Sequence, residues 1–537
     1  MAEITSFQRP ISVSRTIDVA LAWIERRHRL VLAGMIGLYA LVLFGGLTFK
    51  YLHWGQGYDQ IDYEQAIWNT TQGRFLEISH YRHTDHLWGL DFMPAILLIV
   101  PFYALFPSAL TLNLFQAAFM ALGAWPVYGI ARDRFAGSRV AGLGWAAVYL
   151  LYPSVWFVTM SAPWQPRTLA IPALLGSFYF MQRRNWWLFM GCLVLALTTR
   201  TDTSLVVCAF GLLAALWRLG WRWALPPLVL GLAWFYLSTA IIVPSFYRAD
   251  YQPRQARVDL STGEDYAAVW PGTSPQLAYY AHLGDSAGAI VWTIVTHPLD
   301  TARLMFTPPK LAYLALMILP LALLPLLAPD VALLAAPILA LNLLSTRVYQ
   351  YTIREQYQAL VIPGLVLAAI VGGARLWAWW RHRTRGEGPG TTDRGRWSRV
   401  RRPSPVALGA LIVYALAVNL LLKNPVVTTV RHHEDPARIA VMEQMRALIP
   451  PDASVAATSF LAPRIMPRRY LYYLPNAPMF PPLERAEYLF IDARAAALQG
   501  TDFVARVRSA PEWQILADRD DLLLARRVQQ MPAPGKG

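Results

Sequence analysis

Long apolar runs, separated by short polar segments rich in Arg, follow one another along most of the chain. A helix of about 20 apolar residues crosses a hydrocarbon core of about 30 Å, so these runs predict membrane-spanning helices. The pattern predicts a mainly α-helical, polytopic bundle within residues 30–422. Its eleven predicted spans are approximately 30–50, 110–131, 140–158, 167–182, 186–199, 204–217, 223–243, 310–328, 331–345, 357–374 and 404–422.

The Arg-rich segments predict the orientation of the bundle, because cytoplasmic loops carry an excess of Lys and Arg. Residues 1–29 are expected to be cytoplasmic, with 16–28 forming an amphipathic helix along the membrane surface. The short loops at 132–139, 183–184 and 218–222 and the basic loop 375–402 are placed on the same side. The large loops 51–109 and 244–309 and the chain after about residue 423 then face outward. Within the first of these loops, the Pro-containing apolar stretch 92–106 is predicted to be re-entrant or interfacial.

The segment 423–530 has the pattern of a small α/β domain outside the membrane. PARIAVMEQMRALIP predicts an amphipathic helix, and SVAATS, YLYYL and EYLFIDA predict short buried strands. WQILADRDDLLLARRV predicts a hairpin that turns at Arg-Asp-Asp. Residues 531–537 are predicted to be a disordered tail.

Composition supports a membrane protein and excludes several other classes. Of the 537 residues, 55% are hydrophobic and only 15% are charged, whereas soluble proteins average about 25% charged residues. This balance excludes a soluble enzyme and a disordered chain, and two cysteines do not make a disulfide framework. The net charge of +15 comes mainly from Arg between apolar runs. It therefore reports membrane topology, and we expect no nucleic-acid partner.

The first outer loop holds the densest group of titratable residues. In DQIDYEQAIWN the helical spacing places Asp59 and Asp62 near the N-terminus of an ordered helix, followed by Glu64. The histidines His83 and His86 lie further along the same loop. Titratable groups at a membrane surface are candidates for a functional site. The alternative is a solvated loop with interfacial aromatic residues.

Other outer segments contribute charged residues that suit phosphate, since a guanidinium group binds phosphate through two hydrogen bonds. Arg200 and Asp202 lie between two predicted spans, where they are either functional or simple interfacial anchors. The segment RVYQYTIREQY supplies Arg347, Arg354, Glu355 and Tyr357. Acidic residues of these segments are possible oxygen ligands for Mg²⁺ or Mn²⁺, but no spacing requires a metal.

The chain resembles a family of uncharacterised bacterial polytopic membrane proteins that is placed in the GT-C clan of glycosyltransferases. The likeness begins at YDQIDYEQAIWNTTQGR and PFYALFPSALTLNLFQAAFMALGAWPVYGIAR and covers about residues 50 to 500. Later segments follow in the family's order: LALTTRTDTSLVV, YYAHLGDS, THPLDTARLM, LALLPLLAPDVALLAAPILALNLLS, EQYQALVIPGLVLAAI, IPPDASVAATS and RRYLYYLP.

The resemblance implies a bacterial plasma-membrane enzyme with its active site outside. In GT-C enzymes a carboxylate on the first outer loop is catalytic and the donor is a polyprenyl-phosphate sugar. Asp59 matches the family's first acidic position, Glu64 a second and weaker one, and Asp202 an acidic position at a span start. The acceptor is expected to be a glycan or a protein outside the cell.

Four residues, in three segments of the chain, depart from the family's pattern. Asp91 stands in LDFMP where a His is expected, and WQPR has Gln165 and Arg167 in place of His-Pro and an acidic residue. Arg464 replaces a His in the tail. If those histidines bind metal or phosphate in relatives, this member works differently or has lost activity. Arg167 would bind phosphate directly, without a metal.

The leading hypothesis is an inverting glycosyltransferase with Asp59 as the general base and Glu64 as a second catalytic candidate. The candidates for binding substrate and phosphate are Arg167, Arg200, Asp202, Arg354, Glu355, Tyr357, His83 and His86. The main alternative is a non-enzymatic polyprenyl-lipid handler or flippase that reuses the same bundle. A third is a structural or receptor protein that presents the tail domain. Span centres nearly free of Asp and Glu disfavour an ion-coupled transporter.

Overall fold

The computed structural model describes residues 19, 22–161, 164–249, 279–284, 286–385, 404–474, 485–495, 498 and 501–528. Several predictions lie outside these residues. They concern most of the N-terminal segment, residues 250–278 and 285 of loop 244–309, residues 386–402 of the basic loop and the tail 531–537.

The described residues are mainly helical. The first half of the chain forms α1 His28–Leu52, α2 Gln60–Thr71, α3 Val100–Leu105, α4 Ala109–Leu122, α5 Ala124–Arg134, α6 Arg139–Leu151, α7 Pro153–Ser161, α8 Arg167–Gln182, α9 Trp186–Leu197, α10 Thr203–Leu216, α11 Trp221–Tyr236 and α12 Val243–Ser245. The second half forms α13 Ala287–Thr296, α14 Pro298–Met305, α15 Pro308–Ile318, α16 Pro329–Ala332, α17 Ala336–Leu344, α18 Val361–Arg385, α19 Pro405–Leu421, α20 Pro425–Arg431, α21 Pro436–Ala447 and α22 Phe503–Ser509.

Five helices are long and apolar enough to cross a membrane, and seven spans result if each of two bent pairs counts as one. The five are His28–Leu52, Ala109–Arg134, Trp221–Ser245, Val361–Arg383 and Pro405–Arg431. The bent pairs are α6 with α7, and α14 with the helical segment Pro308–Leu321. The protein is therefore built as a multi-pass membrane protein. Some predicted spans are shorter than a full crossing: α9 has 12 residues and α10 has 14.

The prediction of continuous spans at 310–328 and 331–345 is wrong. Helix α15 ends at Ile318, and the residues from there to Ala335 form short 3-10 and α-helical segments. Prolines at 320, 325 and 329 interrupt helical hydrogen bonding, and Ala322 and Leu323 adopt positive φ angles. The following helix α17 has nine residues, a length of about 14 Å, which is half a hydrocarbon core.

Helix α18 packs closely against this broken segment through small residues. A Cβ atom added at Gly364 would lie 2.5 Å from the backbone nitrogen of Ala335. At Gly372 it would lie 2.0 Å from the carbonyl oxygen of Leu324. Small residues allow helices in membranes to approach in this way, so α18 and residues 324–335 form one packed unit.

The tail folds into a five-stranded sheet with the order β2-β1-β3-β5-β4. Its strands are β1 Val455–Thr458, β2 Leu471–Leu474, β3 Tyr488–Asp492, β4 Trp513–Arg519 and β5 Leu522–Arg527. β1 is parallel to β2 and β3, whereas β5 is antiparallel to β3 and β4. The predicted hairpin is confirmed: Asp520 and Asp521 turn it with positive φ angles, as a tight two-residue turn requires.

The tail domain packs directly against the loop 51–109, which the sequence predicts to face outward. Trp54 and Ile61 belong to one buried apolar cluster with Met442 of α21 and Phe490 of β3. Ser79 adds two hydrogen bonds at the edge strand β2: its hydroxyl donates to the Leu471 carbonyl and accepts from the Leu471 N–H, both at 3.0 Å. The tail therefore fixes the position of helix α2.

Candidate functional site

Helix α2 positions two carboxylates on one side. The helix spans Gln60–Thr71 as predicted, with Asp59 at its N-cap and Asp62 in its first turn. Residues three apart on a helix are neighbours on its surface. Ile61 and Ala66 are fully buried, whereas Asp59 is accessible to solvent although protein surrounds it. The Asp59 side chain is therefore reached by solvent while it lies among protein atoms.

The surroundings of Asp59 make it a stronger base than an ordinary aspartate. Burial among protein atoms raises the pKa of Asp59, and the nearby Asp62 carboxylate raises it further. Arg347, Arg167 and a hydrogen bond from the Gln356 amide oppose the rise. The Gln356 nitrogen lies 3.3 Å from an Asp59 carboxyl oxygen. The carboxyl group thus combines access to solvent with a raised proton affinity.

Two guanidinium groups stand next to Asp59. Arg167 is buried at the start of α8 and donates to the Gln356 carbonyl at 3.2 Å, with its guanidinium 5.7 Å from the Tyr357 ring centre. Arg347 donates to the Tyr279 hydroxyl at 2.9 Å and lies over the Tyr357 ring at 5.5 Å. Aromatic faces orient guanidinium groups, so both cations are held beside the carboxylate.

Only some residues of the segment 347–357 contribute to the surroundings of Asp59. Glu355 is half-buried, and its pKa is raised by burial and then by Asp59, against the effects of Lys50 and Arg347. Arg354 is exposed, and the two guanidinium groups that act most strongly on Asp59 are those of Arg347 and Arg167. Of the predicted residues, the structure therefore brings Arg167, Glu355 and Tyr357 together with Asp59. Arg347, which the prediction of phosphate ligands left out, takes the place expected for Arg354.

Arg200 lies between two carboxylates. Its Nε atom is 3.1 Å from Asp91 and 3.3 Å from Asp202, and Asp91 also accepts from the Thr201 N–H at 3.1 Å. This pairing explains one departure from the family's pattern, because Asp91 compensates a buried cation. Arg200 and Asp202 act electrostatically on Arg167, so this group adjoins the space around Asp59.

Several buried polar atoms in this region have no hydrogen-bond partner among the described residues. They are Trp164 Nε1, Gln165 Oε1, Arg167 Nε, Thr201 Oγ1 and Asp202 Oδ1. Buried polar atoms are nearly always paired with protein or water. Donors and acceptors are thus left available where the segments 164–167 and 200–202 meet, as a polar ligand requires.

Glu64 does not join Asp59. Its side chain is 1% exposed and accepts from the Tyr103 hydroxyl at 3.0 Å and from the Gln60 amide at 3.1 Å. Gln60 in turn accepts from Gln56 at 3.0 Å. Burial raises the pKa of Glu64 to about 7. The structure thus places Glu64 in a buried chain of hydrogen bonds that connects α2 with Tyr103 of α3.

His83 and His86 also lie apart from Asp59. The ring of His83 packs against Tyr247 with centres 5.5 Å apart, and that of His86 stacks on Phe246 at 4.1 Å. Burial lowers the pKa of both histidines to about 4, with Arg248 contributing at His83. Both rings are therefore neutral at pH 7, and their contacts join the first loop to residues 246–248.

Of the other departures from the family's pattern, Arg464 has side-chain partners, whereas Gln165 is bonded through its backbone N–H. Arg464 pairs with Glu443 of α21 and lies over the rings of Tyr51 and Trp54 at 4.7 and 5.5 Å. The Gln165 N–H donates to the Gln116 side chain at 3.1 Å. Arg464 thus helps to fasten the tail domain to the end of α1.

The prediction of site residues missed the pairing of Asp62 with His80. His80 Nε2 contacts an Asp62 carboxyl oxygen, and its Nδ1 lies 3.1 Å from Gln65 Oε1. Eighteen residues separate the two partners along the chain, a spacing with no recognisable motif. Within the described part of the chain, no three His, Cys, Asp or Glu side chains are grouped to hold a metal ion.

Comparison with known proteins identifies the family. None of the curated proteins compared with the chain matches it. The model of the family described as "Predicted membrane protein (DUF2079)" matches residues 54–524, from the first outer loop to the last strand of the tail sheet. Because this match covers most of the sequence, the chain belongs to this family of membrane proteins, and the expected resemblance to an uncharacterised membrane-protein family is confirmed.

Proposed function

We propose that the protein is a GT-C type glycosyltransferase of the bacterial plasma membrane, with its active site facing outward. It moves a sugar from a polyprenyl-phosphate donor to a glycan or protein acceptor. The observation that supports this most directly is the accessible Asp59 carboxylate, with its raised pKa, beside the guanidinium groups of Arg167 and Arg347.

In the proposed reaction Asp59 accepts the proton of an acceptor hydroxyl. The hydroxyl oxygen forms a bond to the anomeric carbon while the bond from that carbon to the phosphate oxygen breaks, and polyprenyl phosphate leaves. Attack from the side opposite the phosphate inverts the anomeric configuration. A raised pKa favours this role, because a general base works best when its pKa approaches the working pH.

The leaving phosphate needs positive charge. Arg167 and Arg347 supply two forked donors next to Asp59, and such preorganised charges stabilise a departing anion. Arg200 is less suited, because Asp91 and Asp202 already compensate it. Mg²⁺ or Mn²⁺ is a further means of neutralising phosphate, so the reaction is assayed with and without each cation.

Release of polyprenyl phosphate by the purified protein tests the proposal. A panel of polyprenyl-phosphate sugars is incubated with candidate acceptors, and we expect one donor to give polyprenyl phosphate and a glycoside of inverted configuration. A product of retained configuration would contradict Asp59 as a general base and indicate a covalent intermediate. Lipid binding without turnover of any donor and acceptor pair would support the lipid-handler alternative instead.

The outward orientation is tested separately by cysteine labelling in intact cells. Cys192 and Cys208 are first replaced, and a single cysteine is introduced at the exposed Gln72, just after α2. We expect a membrane-impermeant maleimide to label this site from outside. A cysteine at the exposed Arg222, in a predicted cytoplasmic loop, is the matched control and should react only after permeabilisation. The reverse pattern would place Asp59 in the cytoplasm and exclude the proposal in this form.

A further inference from the structure

Asp62 is held in place by contacts that the proposed reaction does not use. One carboxyl oxygen contacts His80 Nε2, and the other accepts from the Tyr81 hydroxyl at 3.2 Å. The His80 side chain is 0% exposed and that of Asp62 is 13% exposed. A largely buried carboxylate with a hydrogen-bond partner at each oxygen has a fixed position. Its distance from Asp59 is therefore also fixed.

The hydrogen bonds around Gln65 determine how His80 is protonated. The Gln65 amide nitrogen donates to the Arg469 carbonyl at 2.7 Å, and its oxygen accepts from the Ser79 N–H at 3.0 Å. The oxygen therefore faces His80 Nδ1, which must donate. Nε2 faces the carboxylate of Asp62. Both ring nitrogens face acceptors, and the ring satisfies both only as a donor through Nδ1 and Nε2.

We infer that Asp62 and His80 form a positioning pair that sets the charge facing Asp59. This inference rests on the proposed function and adds to it a residue pair that acts through the base. Asp62 lies next to Asp59 on the helix surface and increases its proton affinity, whereas the more remote His80 partly cancels that effect. Because Gln65 is bonded to Arg469, the tail domain holds the pair in this arrangement.

Other charged and titratable groups also face these residues and remain unchanged in the test. Those that act on Asp59 are Tyr58 and Tyr81 on either side of α2, Tyr63 of α2, Arg167 of α8, and Arg347, Glu355 and Tyr357 of the segment 347–357. Tyr58 and Tyr81 also pack against the His80 ring. A change at Asp62 or His80 alone therefore isolates the contribution of the pair.

The test measures protonation of Asp59 without any substrate. A hydrophobic carbodiimide reacts with protonated carboxyl groups, and peptide mass spectrometry over a pH series gives the midpoint of labelling at Asp59. Asp62→Asn removes the neighbouring negative charge and should move this midpoint to lower pH by about one unit. His80→Gln leaves Asp62 uncompensated and should move it to higher pH. The double variant should lie between the two.

Asp85→Asn is the matched control, because Asp85 belongs to the same loop but pairs with Arg248. In this variant the midpoint of labelling at Asp59 should equal that of the wild type. If Asp62→Asn or His80→Gln prevents folding, Asp62→Ser and His80→Asn make the same charge changes. Shifts of the same sign, or no shift in either folded variant, would overturn the inference. Since labelling requires no turnover, opposite shifts in a protein that releases no polyprenyl phosphate would reject the proposed reaction while retaining the pair.

Discussion

Replacing Asp59 with Asn is expected to lower the rate of polyprenyl phosphate release by about 10²–10⁴-fold, the usual contribution of a general base. Asn keeps the size of the side chain and an oxygen that accepts from Gln356, but it cannot take the acceptor's proton. The measurement is kcat/KM of the purified variant beside the wild type, after both are shown to be folded. Asp85→Asn, which removes a carboxylate paired elsewhere in the loop, should retain wild-type activity.

The pH dependence gives a second readout of the same residue. Burial and Asp62 raise the pKa of Asp59, so wild-type activity should fall as the pH drops through a value above the ordinary range of an aspartate. This acid limb should be absent from the residual activity of Asp59→Asn. Equal release of polyprenyl phosphate by the variant and the wild type would support the enzyme activity but reject Asp59 as the general base. Asp202 and Asp62 would then be the next candidates.

Sequence pattern was sufficient for features that depend on neighbouring residues. The period of DQIDYEQAIWN predicts helix α2 and puts Asp59 at its start, because Ile61, Gln65, Trp68 and Asn69 are spaced to lie along one side. The hairpin of the tail was predictable for the same reason, since Arg-Asp-Asp separates two apolar strands. Local chemistry alone determines such elements.

Features that depend on distant parts of the chain were not predictable. Glu64 belongs to the same helix as Asp59 but is turned into the bundle, where Tyr103 binds it. The choice of Arg347 over Arg354 depends on Tyr279, which lies in another segment. The pairing of His80 with Asp62 requires the loop to fold back onto α2, as the hydrogen bonds between Gln65 and Ser79 show. Spacing along the sequence contains none of this information.

Replacing Arg347 with Gln is expected to reduce kcat/KM by about 10²–10³-fold, the typical cost of losing one preorganised donor to developing negative charge. The guanidinium group lies over Tyr357 and acts on Asp59, so its removal should weaken stabilisation of the leaving phosphate. Gln keeps a polar side chain of moderate length but carries no charge. Lys should restore part of the rate, because it returns the charge without the fork.

Arg354→Gln is the matched control for this prediction. It removes the same kind of charge seven residues further along the chain, from a side chain that is exposed. An exposed charge is screened by solvent and contributes little at a distance, so we expect this variant to stay close to the wild type. If Arg354→Gln were impaired and Arg347→Gln were not, the donor phosphate would bind at the outer rim. The space around Asp59, Arg167 and Arg347 would then not be the site of transfer.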